Sequence, residues 1–96
     1  MVEIRETPQF SKWLDRIRDL HAKDRIEARI QRLSLGLPGD VRGVGGGVSE
    51  LRIHHGPGYR VYFTKLGPTI VLLLIGGDKR TQDRDITLAI ELAKGL

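Results

Sequence analysis

The stretch that decides the fold is Val48–Lys79, VSELRIHHGPGYRVYFTKLGPTIVLLLIGGDK. His55-Gly56-Pro57-Gly58 and Leu66-Gly67-Pro68 divide it into three segments, because glycine and proline supply the backbone angles and chain stops that hairpins need. The first segment alternates Leu51 and Ile53 against Glu50, Arg52 and His54. The second alternates Val61 and Phe63 against Arg60, Tyr62 and Thr64. A register with Leu51 opposite Phe63 and Ile53 opposite Val61 puts the apolar residues on the core side. It leaves His54 opposite Arg60, and Arg52 opposite Tyr62, on the other face. A slip of one residue would oppose apolar to polar side chains. The third segment, Thr69–Ile75, is apolar from Ile70 onward, as expected for a central strand covered on both faces. Three consecutive antiparallel strands are therefore predicted.

Upstream, Val2–Arg5 alternates and predicts an opening strand. Thr7-Pro8 is a helix start, with a hydroxyl cap followed by a proline whose missing N–H costs nothing there. Phe10, Trp13, Leu14, Ile17 and Leu20 form an apolar helical stripe, which makes Phe10 and Trp13 core residues. A second helix is predicted over Asp24–Leu35, with Ile26, Ile30, Leu33 and Leu37 inward and Gly36, Pro38 and Gly39 ending it. Its Arg25, Arg29 and Arg32 share one face, which reads either as a solvated surface or as a footprint along nucleic acid.

Gly39–Gly47, GDVRGVGGG, predicts a mobile loop, with a short strand near Val41–Val44 as the alternative. It lacks the Lys-Ser/Thr ending of a phosphate-binding P-loop. Gly76-Gly77 predicts a break that re-aims the chain and delivers Asp78, Lys79 and Arg80 beside the strand ends. Thr81 is expected to cap a last helix, with Ile86, Ala89, Ile90 and Ala93 inward. Leu88 and Leu92 would then point away, either as ordinary exposed residues or as a partner surface. The expected fold is α+β: one domain over residues 1–96, with a small antiparallel-rich sheet, an N-terminal helical hairpin and a C-terminal helix.

Composition narrows the function classes. The chain of 96 residues has no cysteine, so disulfides, thiolate catalysis and cysteine metal sites are excluded. No apolar run approaches the roughly 18–20 residues of a membrane span, and no signal-peptide core is expected at the N-terminus. A reducing cytoplasm is compatible. Sixteen Lys and Arg against twelve Asp and Glu give a net charge of +4, rich in arginine, whose planar fork suits phosphate.

Arg52, His54, Arg60 and Lys79 are the expected catalytic group, converging with Glu50 and Tyr62. Cleavage of RNA by its own 2′-hydroxyl needs a base, cations for the dianionic phosphate and an acid for the departing 5′-oxygen; no metal or cofactor is required. His54 can exchange a proton near neutral pH, and so can Glu50 if burial raises its pKa. Arg52, Arg60 and Lys79 can hold the phosphate oxygens. The competing reading is an ordinary solvent-facing antiparallel sheet, which also alternates charged residues on its open face.

The helical hairpin, LRIHHGPGYRVYF, VLLLIGGDKRTQDRDI and the closing helix resemble the RelE/ParE toxin superfamily, and most closely its HigB-like, "addiction module killer" branch. The resemblance spans nearly the whole chain. Its most specific parts are Gly58-Tyr59-Arg60-Val61-Tyr62-Phe63 and Gly76-Gly77-Asp78-Lys79 with Gln82. It implies a microbial-ribonuclease-like domain, an mRNA endonuclease acting on the ribosome, and neutralisation by a bound cognate antitoxin in a hetero-oligomer. Arg60 matches the family's phosphate-contacting arginine, Arg52 and His54 its basic positions one strand earlier, and Lys79 its basic position after the last strand. Glu50, Tyr59, Tyr62 and Arg80, with Arg25, Arg29 and Arg32, are the expected RNA contacts. No Tyr or His follows Tyr62, where many ribosome-dependent members carry one. That departure keeps open a ParE-like gyrase poison, and a non-catalytic nucleic-acid-binding module is the third reading.

Overall fold

A computed structural model describes residues 1–96. Five strands form one mixed sheet: β1 (Glu3–Glu6), β2 (Val41–Gly45), β3 (Val48–Ile53), β4 (Tyr59–Lys65) and β5 (Ile70–Asp78). Helices α1 (Pro8–Arg16) and α2 (Leu20–Ser34) follow β1, and α3 (Gln82–Lys94) closes the chain after a 3-10 turn at Lys79–Thr81. The strand order is β1-β5-β4-β3-β2, antiparallel except for the parallel β1–β5 edge.

Alternation works out as two cores, one on each face of the sheet. Leu51, Ile53, Val61, Phe63, Val71 and Leu73 pack with Phe10, Ile26 and Leu33 from α1 and α2. On the opposite face Val48, Tyr62, Leu72, Leu74 and Ile75 pack against Ala89 of α3. The β5 strand is thus covered on both sides, as its unbroken apolar run requires. The face expected to be open carries α3 over much of its area.

The β3–β4 register differs from the expected one by two residues: Leu51 faces Val61, Glu50 faces Tyr62 and Arg52 faces Arg60. A two-residue slip leaves every side chain on its face, so alternation alone does not detect it. What sets the register is the turn, where the Gly58 N–H bonds the His55 carbonyl.

Thr7 caps α1 as expected, accepting from the Phe10 N–H at 3.0 Å while its hydroxyl donates to the Leu74 carbonyl at 2.6 Å. The α2 helix starts earlier than expected, capped by Asp19, which accepts from the His21 and Ala22 N–H groups. Leu20 therefore opens α2, exposed, instead of closing the α1 stripe, and Leu37 is also exposed. The glycine loop contains the alternative strand: β2 pairs with β3 through a Gly45-Gly46-Gly47 turn in which all three φ angles are positive.

Gly76-Gly77 is no break, because β5 runs through both to Asp78. A Cβ on Gly76 would enter the Trp13 ring, and one on Gly77 would collide with the Asp85 carboxylate. The glycines are there for close approach. Thr81 precedes α3 without a side-chain cap. Its hydroxyl donates instead to Asp85 Oδ2 at 2.5 Å, and the capping box belongs to Asp78 of the 3-10 turn. Leu92 packs against the second core, contrary to expectation, while Leu88 is nearly half exposed. No helix is long and apolar enough to cross a membrane.

Candidate phosphate cleft

At the tip of the β3–β4 hairpin a cleft of about 370 Å³ is lined by Arg52, His54, His55, Arg60 and Lys79, with Gly56-Pro57-Gly58 as its rim. All four residues expected to act in catalysis meet there. Their convergence follows from the register. Arg52 and Arg60 are direct cross-strand neighbours on one face, an arrangement of like charges that by itself destabilises a sheet.

Glu50 makes it tolerable. Its carboxylate is fully buried beneath the arginines and accepts from Gln82 Nε2 at 2.8 Å, Tyr62 OH at 3.0 Å and Arg42 Nε at 3.0 Å. Arg52 and Arg60 each hold their Nε 3.9 Å from Glu50 Oε1. Burial alone would push the Glu50 pKa up, but the bonds from Gln82, Arg42 and Tyr62 outweigh it and hold the pKa below the ordinary value. Glu50 is thus a buried counter-ion, not the raised-pKa proton acceptor that the sequence allowed. It is shielded from any ligand.

Three arginines around one carboxylate leave positive charge in excess and donors to spare. The Arg60 side chain is 3% exposed and makes one hydrogen bond, from Nη1 to the Tyr59 carbonyl; Arg52 makes none. The Nε atoms of both are buried without a partner. These Nε atoms face the Glu50 carboxylate beyond hydrogen-bond distance, so the pairing is through charge, and the excess positive charge is what the cleft offers an oxyanion.

His54 lies one residue past β3, exposed, with Nε2 2.6 Å from Asp40 Oδ2. That bond, assisted by the nearby Arg52 and Arg29 charges, holds the Asp40 carboxyl below its usual range. Asp40 thereby orients the ring and leaves Nδ1 available. His55, also on the cleft wall, has its Nε2 3.4 Å from Asp19 Oδ2. Lys79 is exposed and enters no ion pair.

One expected RNA contact is corrected. Tyr62 is fully buried, donating to Glu50; burial and then the Glu50 charge push its pKa up, so it stays a neutral phenol. Tyr62 therefore presents no face for a base. Tyr59 packs edge-on to Trp13 at 6.2 Å, half-buried against the first core. Arg80 is exposed but bonded to Asp78 at 3.1 Å. Among the helix arginines, Arg29 is structural: Nη1 donates to the Arg52 carbonyl at 2.6 Å and Nη2 to the Pro38 carbonyl at 3.0 Å. Arg25 and Arg32 stay exposed beside it.

Sequence reasoning missed Arg42, Gln82 and Asp40 as partners of the cleft. Arg42 left a signal in that it lies opposite Glu50 once β2 is accepted as a strand; Gln82 stood out only within the family resemblance, and it reaches Glu50 from another element, 32 positions away.

No family model matches the chain. A Haemophilus influenzae Rd protein described as an uncharacterized protein is 47% identical over 95 residues, covering 99% of this chain and 96% of the relative.

Proposed function

We propose that this chain, which belongs to the same family as the Haemophilus influenzae protein, is an RNA-cleaving toxin of the RelE/ParE type. It would cut translated mRNA on the ribosome without a metal and be held inactive by a bound antitoxin. The observation that carries the reading is the pair Arg52 and Arg60, set side by side over buried Glu50 and lining one cleft with His54 and Lys79.

In the reaction, the scissile phosphate docks against the two guanidiniums, whose charge counters the dianion that develops as the 2′-oxygen attacks. His54 Nδ1 takes the 2′-hydroxyl proton, with Asp40 fixing the ring through Nε2 and stabilising the imidazolium. The 2′-oxygen–phosphorus bond forms as the phosphorus–5′-oxygen bond breaks, leaving a 2′,3′-cyclic phosphate. Lys79, on the cleft's other wall, protonates the departing 5′-oxygen. Glu50 stays ionised throughout and keeps the arginines in place.

A gyrase-poisoning activity is the second reading. It draws on α3, which supplies no phenol or imidazole to the cleft. The test is a purified translation reaction with the chain added and the message's new 5′ ends mapped. Codon-phased cuts that vanish with Arg52→Ala, in a variant that keeps its circular-dichroism spectrum, support the proposal. Intact message combined with trapped DNA breaks in the presence of gyrase would replace it with the second reading.

A further inference from the structure

The phosphate cleft lies between two further cavities, and one side chain on each side is a wall common to both neighbours. On the α2 side lies a cavity of about 280 Å³ bounded by Arg25, Arg29, Arg32, Ile53 and His54, so His54 lines both spaces. On the other side, at the start of α3, a cavity of about 380 Å³ is bounded by Lys79, Arg80, Gln82, Asp83 and Arg84, so Lys79 is shared in turn. Together the walls carry eight Lys and Arg side chains against one acidic side chain, Asp83. Arg25, Arg32 and Lys79 enter no ion pair, while Arg80 and Arg84 lie beside Asp78 and Asp85.

We infer that the three cavities form one continuous track for single-stranded RNA, running from the arginine face of α2, around the hairpin tip, to the start of α3. The inference rests on the reading that the central cleft holds a phosphodiester, and extends it to the phosphates on either side. A single-anion site needs only the central arginines, Arg52 and Arg60. Cations on both flanks, contributed by α2 on one face of the sheet and by the start of α3 on the other, suit a flexible polyanion that can bend around the hairpin tip. A straight duplex cannot follow that path. The walls hold no Phe, Tyr or Trp, so the track offers no stacking platform and grips the backbone, with little preference among bases.

The experiment measures binding of uncleavable 2′-O-methyl oligonucleotides by fluorescence anisotropy across a salt series, using a dinucleotide and an oligomer of about ten nucleotides. For the long probe, Arg25→Ala with Arg32→Ala is expected to reduce the slope of log affinity against log salt by about 1.4, two contacts at about 0.7 each. Arg52→Ala is expected to weaken both probes. Lys12→Ala with Lys65→Ala, outside all three cavities, serves as the charge-matched control. An unchanged slope in the Arg25/Arg32 variant, with Arg52→Ala still weakening the dinucleotide, overturns the track and leaves the cleft standing. Dinucleotide binding that ignores Arg52→Ala overturns the cleft reading, and the track with it. Equal competition by a polyglutamate peptide of matched length also overturns the track, making the surface one for an acidic protein segment.

Discussion

Replacing Glu50 by Gln removes one negative charge and almost no volume, and so isolates what the carboxylate does for the arginines above it. The wild-type carboxylate is fully buried and is the only counter-ion that Arg42, Arg52 and Arg60 share. Removing one partner of a buried ion pair costs about 3–5 kcal/mol. Arg42 and Arg52 are partly exposed and only Arg60 is nearly buried, so the lower end, about 3 kcal/mol, applies. At about 4–8 °C per kcal/mol for a domain of this size, the melting temperature should fall by about 12–24 °C. Far-UV circular dichroism melts at pH 7 measure it, and added inorganic phosphate should recover part of the loss by supplying the missing anion.

The sign in acid is also set. The Glu50 pKa is depressed on folding from an ordinary value of 4.5. Its contribution is therefore complete above that pH and is lost as pH falls through the lower folded-state value. The wild-type and Gln curves should separate at neutral pH and converge in acid. A variant that melts within about 3 °C of wild type at pH 7, less than 1 kcal/mol, would refute the idea that Glu50 holds the arginine cluster together.

Other substitutions probe separate parts of the account. Gly76→Ala drives a methyl into the Trp13 ring, and should destabilise by about 1–3 kcal/mol in urea unfolding. Thr7→Ala removes the α1 cap and the bond to the Leu74 carbonyl, costing about 1–2 kcal/mol in the same assay. His54→Ala should lower single-turnover cleavage by about 10²–10⁴-fold while leaving the melting temperature in place, since the ring is exposed.

The residues themselves show how far the sequence could be read. Alternation in β3 and β4 assigned each side chain to its face, because a period of two is a local property. It did not fix which residue faces which, and the two-residue difference is what brings Arg52 against Arg60 in place of Tyr62. The same blindness applied to cover: nothing in the pattern of Glu50 and Tyr62 shows that α3 lies over them. A charged and an amphipathic residue that look solvated in sequence are both fully buried in the fold. Gly76-Gly77 misled for a related reason. Glycine required by a neighbouring ring or carboxylate looks the same as glycine required by a turn, and only the packing of Trp13 and Asp85 distinguishes them. Thr7-Pro8 was legible because a helix cap is built from adjacent residues. That Arg52, His54, Arg60 and Lys79 would meet was legible because three lie on one hairpin and the fourth directly follows the neighbouring strand.

The most direct measurement is nitrogen-15 NMR of the arginine Nε–H groups, assigned through Arg52→Lys and Arg60→Lys, during titration with an uncleavable oligonucleotide. If one phosphate is gripped by both guanidiniums, the Arg52 and Arg60 resonances shift together and saturate at the same concentration, with the Arg5 resonance as an unmoved reference. If the two stay in place while RNA binds, or move with different affinities, the cleft does not hold a single phosphate and the proposed cleavage mechanism is wrong.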